Sequence, residues 1–284
     1  LFELVSGLQK SGSIDPEVIA LEDGPLREKY ATAGIPVSVF SYDPDKLSTV
    51  ERLNQHILPL ASVIRQKTPS MVVANTLRAF LAILAAQEAG VSSVWIVRES
   101  SPWNVFFGYL PDRVAQRAIA AIRLPQRVVF VSNASRKVWG RFDKYNNFEV
   151  IHNGLNLSRF SKVRDMQERA RSRTALGLKD HSIGILCVGT LNPRKGQKDL
   201  IEAVALLPED LMERTRILLV GDARDSYARR LQRRCRSFSP RLRERIRFSP
   251  PTESIQGFYE AADIFVFCSR EESFPRVTLE AMAF

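Results

Sequence analysis

Only three cysteines, Cys187, Cys235 and Cys268, stand in the 284 residues, and they are far apart. Their odd number and the lack of CxxC or Cys/His ligand spacing exclude a disulfide framework and a zinc site, so no metal is expected and a reducing cytosol fits best. Long apolar runs are also missing. The longest candidate, residues 79–86, stops at Gln87 and Glu88, short of the roughly 20 residues that a membrane-spanning helix needs. No basic, apolar, small-residue leader is present, and there is no repeat of solenoid period or low-complexity tract. Histidine is scarce as well: His56 falls in a helical run and His181 in a charged connection, both read as surface positions, while His152 sits at a candidate hinge.

What is there describes a globular protein. Apolar residues make up 45% and charged residues 25%, which excludes disorder as the default, and 284 residues suffice for two domains. The net charge of +10 is unevenly shared: 17 Lys+Arg against 14 Asp+Glu in residues 1–150, 24 against 17 in residues 151–284. An anionic ligand is therefore expected at the second half. Ten arginines lie between Arg224 and Arg247, opposed only by Asp225 and Glu244. They read either as a solvated helix face or as a patch for an anionic membrane or nucleic acid. The cluster lacks the interleaved aromatics of a single-strand binder, so no nucleic acid is expected.

Apolar periodicity alternates between two and about 3.6, which predicts serial β-α units and hence parallel sheets. Strands are expected at 18–21, 37–40, 71–74, 94–97 and 128–131, with helices near 46–67, 76–89 and 111–122. A second series is expected at 183–188, 216–220, 246–248 and 264–267, after a hinge near 150–155 marked by Asn153-Gly154 and a charged, helical stretch over 161–180. Leu1 opens a helical segment and residues 279–284 read as a helix in mid-course, so the chain is expected to be a fragment.

Two strand-to-helix corners could carry chemistry. In the first, a strand runs into Gly189-Thr190-Leu191-Asn192-Pro193-Arg194-Lys195-Gly196 and a helix begins near Gln197. Ligands of α/β sheets sit at such carboxyl edges, and a helix N-terminus favours phosphate. Arg194 supplies a fork of donors and Lys195 a point charge suited to a diphosphate. The alternative is an ordinary solvated loop. In the second corner, Cys268 to Arg270 lead through Glu271 and Glu272 to Ser273, Phe274 and Pro275, with Pro275 placed as the first helical residue before Arg276, Val277 and Glu280. Carboxylates beside a phosphate site suit ribose and hexose hydroxyls. The alternative is that Glu280 merely pairs with Arg276 at i, i+4 and Glu272 caps the helix.

The glutamates of 272–280, preceded by Ala261-Ala262-Asp263, resemble glycosyltransferase family 4 of the GT-B fold. Residues 188–196 are similar to that family's diphosphate loop, 150–160 to its entry into the second domain, and Leu218-Leu219-Val220-Gly221-Asp222 to its next strand end. The resemblance is dense over roughly 128–284. It implies two facing Rossmann-like α/β domains with a cleft between them: an acceptor-side domain over 1–150, lacking its first strand and Gly-rich loop, and a nucleotide-sugar domain over 151–284, lacking its C-terminal end.

It further implies transfer of a sugar, with retention of configuration, from a UDP- or GDP-type donor to a sugar, lipid-linked or polysaccharide acceptor. The setting would be the cytoplasm or the inner membrane face, in cell-envelope polysaccharide or glycolipid synthesis, with a peripheral membrane contact. Arg194 and Lys195 would stabilise the leaving diphosphate, and Glu272 would touch the moving sugar. Gly189, Thr190, Gly221, Ser273, Phe274, Pro275, Arg276, Val277 and Glu280 would hold the donor, Glu280 through the ribose. Pro275 replaces a frequent glycine and removes one N–H. On the acceptor side, Arg98 stands where relatives often have a histidine, and Glu99 and Ser100 are the candidates. The competing expectation is an inactive transferase homologue or a basic binding module.

Overall fold

Every strand pairing in the described residues is parallel, the arrangement that helix-length connections impose. The computed structural model describes residues 1–42, 46–157 and 166–284. Among them the chain divides into two units, Leu1–His152 and Asn153–Phe284. Residues 158–160 of the hinge motif and 161–165 of the charged stretch lie outside the described residues.

The first unit runs α1 (Phe2–Lys10), β1 (Val18–Ala20), α2 (Leu26–Thr32), β2 (Val37–Val39), α3 (Val50–Lys67), β3 (Val72–Asn75), α4 (Phe80–Ala89) and β4 (Ser93–Val97). It continues through α5 (Trp103–Phe106), α6 (Asp112–Ala120), β5 (Arg127–Phe130), α7 (Asn133–Trp139) and β6 (Phe148–Val150). β1 and β2 form one ribbon, and β3-β4-β5-β6 a four-stranded sheet. Helix α3 starts at Val50 rather than 46 because the Thr49 side chain accepts from Arg52 N–H and caps it there. A 3-10 turn over Leu77–Ala79 replaces the first part of the helix expected from 76. The short strand β6 was not expected: its three residues are too few for a period to show, and only the buried Phe148 marks its inner face.

Aromatic rings dominate this unit's core. Trp95, Trp139, Phe80, Phe107 and Phe130 are fully buried, with Phe107 meeting Phe80 edge-on at 5.7 Å and Trp139 at 6.4 Å.

The second unit runs α8 (Met166–Ala175), β7 (Ile183–Val188), α9 (Gln197–Val204), α10 (Glu209–Arg214), β8 (Thr215–Val220) and α11 (Ser226–Arg236). It continues through α12 (Pro240–Arg243), β9 (Ile246–Ser249), α13 (Gln256–Ala261), β10 (Ile264–Phe265) and α14 (Arg276–Ala283). The strand order is β10-β7-β8-β9. Strands β7 and β8 are buried on both faces, which is why they read as unbroken apolar runs. Ile185, Cys187, Ile217 and Leu219 pack with α9, α11 and α12 on one face, and Leu186, Leu218 and Val220 with Tyr259 and Ala261 on the other. Strand β10 stops at Phe265 rather than 267; only the Val266 N–H, bonded to the Leu186 carbonyl, continues the ladder.

A buried ionic knot ties α8 to this sheet. The Arg173 guanidinium donates to the carbonyls of Ala261, Lys179 and Ser182 and to Asp263 Oδ2 at 2.9 Å. Asp263 also accepts from Gly184 N–H at 2.8 Å and from Arg169 at 2.6 Å. Burial works to raise the Asp263 pKa, but the Gly184 N–H and the two guanidinia outweigh it and hold the carboxyl below its ordinary value.

Candidate functional site: the switch point of the second sheet

The chain builds β7, β8 and β9 outward in one direction and then returns to place β10 on the other side of β7. Strand order reverses between β7 and β10, and in open α/β sheets ligands bind outside the carboxyl ends of the strands at such a point. Both corners singled out in the sequence leave from this pair of strands.

At the first corner, the Asn192 side chain accepts from Lys195 N–H at 3.1 Å and folds Pro193–Lys195 into a 3-10 turn. Gly196 follows with φ 68°, and a Cβ there would stand 2.1 Å from the Cys268 carbonyl oxygen, so only glycine lets the two loops touch. Gly221, at the end of β8, has a similar function: a Cβ there would lie 2.1 Å from the Gly189 carbonyl oxygen. Thr190 leads on from Gly189, and its carbonyl accepts from the buried Gln197 amide at 3.1 Å, whose own Oε1 has no protein partner.

The second corner is zipped onto the first. Arg270 N–H donates to the Arg194 carbonyl at 2.8 Å, and Arg194 Nη1 donates to the Glu271 carbonyl at 2.6 Å. Glu272 Oε1 takes both cations, Lys195 Nζ at 2.5 Å and Arg194 Nη1 at 2.7 Å. The Lys195 and Glu272 side chains are mostly buried, 16% and 18% exposed, so this pair is weakly screened by solvent. Glu272 therefore does not cap α14, which has no side-chain cap at all. Pro275 is the residue before the helix, not its first residue.

Glu280, on α14, accepts from Tyr259 Oη at 3.1 Å and from Arg276 Nε at 3.1 Å. The i, i+4 pair is thus real, and a buried tyrosine joins it. Burial, and then the neighbouring Glu280, push the Tyr259 phenol well above its ordinary value. The Val277 carbonyl is within 3.2 Å of the same phenol, and the Phe274 carbonyl accepts from Asn153 Nδ2 at 3.0 Å. Ser273 is half-buried.

Sequence reasoning missed Tyr259 and gave Asn192 and Asn153 only as residues of the first corner and of the hinge turn, without their side-chain bonds. Asn192 had a usable signal, a capping residue three positions before Lys195. Tyr259 had none, because its site partner lies 21 residues away.

Glu99 and Ser100 belong to the first unit, just beyond β4. Glu99 Oε2 accepts from Leu77 N–H and Arg98 N–H, both at 3.0 Å, and closes the turn in which Thr76 takes φ 74°. Burial nevertheless raises its pKa, outweighing these bonds. Arg98 is held by Asn75 Oδ1 at 2.9 Å, and Ser100 is half-buried.

Arginines dominate the outer face of α11. Ala228, Leu231 and Cys235 turn inward, while Arg229, Arg230, Arg233, Arg234 and Arg236 are exposed. Arg234 lies 3.5 Å from Glu202, and Arg241 on α12 pairs with Glu209 at 2.6 Å.

Comparison with known proteins agrees with this architecture. Residues 1–159 match Glycosyltransferase Family 4 and residues 168–284 match Glycosyl transferases group 1. The chain belongs to glycosyltransferase family 4, of GT-B fold. Over 141 residues, 47% of the chain, it is 37% identical to a D-inositol 3-phosphate glycosyltransferase of Streptomyces bingchenggensis. Over 138 residues, again 47% of the chain, it is 30% identical to the protein of that name in Jonesia denitrificans. The matches cover 30% and 32% of those relatives, so the chain spans about a third of their length. Among solved structures, Anabaena HepE in complex with UDP-glucose superposes with TM-score 0.79 at 22% identity, over 99% of this chain and 74% of that one. The lipopolysaccharide glycosyltransferase WaaG superposes with TM-score 0.68 at 16% identity, over 99% and 74%. These likenesses show the fold.

Proposed function

We propose that the protein transfers a sugar from a nucleotide-diphosphate sugar to an acceptor, with retention of configuration. The second unit would hold the donor and the first the acceptor. The observation that carries this reading is the convergence of Arg194, Lys195 and Glu272 at the β7/β10 switch point. A diphosphate placed there would replace the Glu272 carboxylate as the partner of both cations, and the released carboxylate would accept from hydroxyls of the moving sugar. Gly189, Thr190 and Gly221 would allow the donor close to the backbone, and the uncapped N-terminus of α14, over Ser273 to Val277, would face its phosphates. Glu280, held by Tyr259, would take the ribose hydroxyls. Catalysis is then electrostatic stabilisation of the departing diphosphate with positioning of two substrates.

The UDP-glucose complex of HepE supports a UDP-type donor, and the names of the curated relatives support a polyol or sugar acceptor. Glu99 and Ser100 are the acceptor-side candidates. Calorimetric titration with UDP-glucose, GDP-mannose and related sugars tests the reading. One nucleotide should bind selectively, and Lys195→Ala should weaken it by about 2 kcal/mol, the worth of a charge-assisted contact. Equal, weak binding of every nucleotide, indifferent to Lys195, would contradict it.

A second reading, favoured by the exposed α11 arginines, adds a peripheral contact with anionic lipid at the inner membrane face, where a lipid-linked acceptor in envelope glycolipid or polysaccharide synthesis would reside. Flotation with vesicles of anionic and neutral phospholipid separates the cases. Binding that ignores lipid charge removes the contact and leaves the transferase reading intact.

A further inference from the structure

Gln197 takes no part in the donor reading above, yet it is a polar side chain only 1% exposed at the first corner. It opens α9, whose Leu200 and Ile201 belong to the apolar cluster behind the corner. Its Nε2 donates to the Thr190 carbonyl at 3.1 Å and reaches the Gly189 carbonyl at 3.5 Å. Among the described residues its Oε1 has no partner. Leucine or methionine would fill the same space without the desolvation cost of an unpaired buried acceptor. What the amide supplies that they lack is the donor side, and both of its acceptors are carbonyls of the loop that leaves β7.

Those carbonyls fix the direction of a backbone donor. A Cβ on Gly221 would lie 2.1 Å from the Gly189 oxygen and 3.1 Å from the Thr190 nitrogen, so the peptide joining them turns its oxygen toward the end of β8. Gln197 draws the same oxygen toward α9. In a trans peptide the N–H points opposite the C=O, and the Thr190 N–H is therefore directed away from β8 and α9. The following peptide is fixed too, its carbonyl on Gln197 and its Leu191 N–H on the Asp222 carbonyl at 2.9 Å. Thr190 is exposed, and among the described residues its N–H has no protein partner. The Lys195 side chain lies across Gly189, its Nζ 3.7 Å from where a Cβ would stand. An ammonium and an unused backbone donor thus serve adjacent residues.

We propose that Gln197 is a positioning residue for the donor: its amide holds the Gly189–Thr190 peptide so that the Thr190 N–H donates to the terminal phosphate of a nucleoside diphosphate, beside Lys195. The assignment rests on the donor-site reading above and deepens it by giving one phosphate to one backbone group. The terminal phosphate is the one concerned because Glu272, the partner of Lys195, is the carboxylate assigned to the moving sugar, which that phosphate carries. A nucleoside monophosphate lacks this phosphate and gains nothing from the orientation of the peptide. Gln197 itself touches neither substrate nor reacting atoms and acts through the peptide alone.

The test measures UDP, UMP, GDP and GMP binding by calorimetry to the purified wild-type chain and to Gln197→Met, Gln197→Glu and Ile201→Val. Wild type should bind the diphosphate of its preferred nucleoside more tightly than the monophosphate. Gln197→Met cannot donate, and the carboxylate of Gln197→Glu would repel both carbonyls. In each the diphosphate affinity should fall about tenfold while the monophosphate affinity stays. Ile201→Val, which thins the packing of the same helix, should leave the ratio of the two affinities alone. A measurement on wild type needs no Gln197 variant to fold. With isotope-labelled threonine, the Thr190 amide resonance, identified by its absence from Thr190→Ser, should move on adding the diphosphate and stay in place with the monophosphate. An unchanged ratio in folded Gln197 variants, or a Thr190 resonance that answers both nucleotides alike, overturns the assignment and leaves the donor reading standing. A wild type that does not distinguish diphosphate from monophosphate refutes the donor reading itself.

Discussion

The two units solve the same problem, closing a parallel sheet, with different materials. The first relies on large aromatic side chains, with Phe107 wedged edge-on against Phe80 and Trp139. Among the described residues, the second has a mainly aliphatic core, split between two faces, in which Tyr259 is the buried ring, and it adds the Arg173–Asp263 knot at the edge of β7. The same contrast holds at their strand ends. Glu99 is satisfied by the backbone of its own unit, whereas the partners of Glu272 among the described residues are two cations, which on the proposed reading an anionic ligand would claim. The comparison teaches where binding energy is available: a carboxylate bonded to backbone N–H groups has no partner to release, but one that neutralises Lys195 and Arg194 can be displaced by phosphate.

All three tryptophans, Trp95, Trp103 and Trp139, lie in the first unit, so indole fluorescence follows that unit while far-UV circular dichroism follows both. The sharpest way to break the comparison is Phe107→Ala. It should cost about 4 kcal/mol through the cavity left in a fully packed core and bring the fluorescence transition to lower urea.

Asp263→Ala should cost about 3 kcal/mol, the lower end for orphaning a buried guanidinium, because the Asp263 side chain is itself 33% exposed. Its signature should be a circular dichroism transition that moves while the fluorescence transition stays. If both move together, the units unfold as one and the contrast between their cores loses its energetic meaning. Because the Asp263 pKa is depressed, its stabilisation is present above the ordinary carboxylate value and is lost as pH falls through the lowered one. Wild type and variant should therefore converge in acid.

The smallest effect belongs to Glu99. With its pKa raised, the folded chain holds a proton that the unfolded chain has released, so stability declines as pH rises from the ordinary glutamate value through the raised one. Glu99→Gln should flatten that slope in the fluorescence transition. An unchanged slope would show that the strand end of the first unit is not where this proton is held.

Much of the architecture was legible before any coordinates. The buried runs 183–188 and 216–220 announced themselves because both faces of β7 and β8 are covered, and Gly189, Lys195 and Glu272 stood at breaks between a strand and a helix. Short elements were not legible: β6 is three residues long, and β10 ends early because its length is set by pairing with β7 and not by its own composition. The Arg173–Asp263 knot was likewise hidden, since an arginine in a polar helix looks the same whether it faces water or three carbonyls.

What the amino-acid order determined by itself was local: where periodicity changes, where glycine and proline interrupt it, and which charges stand beside those interruptions. The tertiary structure alone decided that β10 returns beside β7 rather than extending the sheet beyond β9. That one choice brings Glu272 to Lys195 and Cys268 to the turn that carries Lys195. The physical reason is that strand order depends on which faces and edges remain to be covered once the whole sheet has assembled, a property of the assembled sheet that no window along the chain contains.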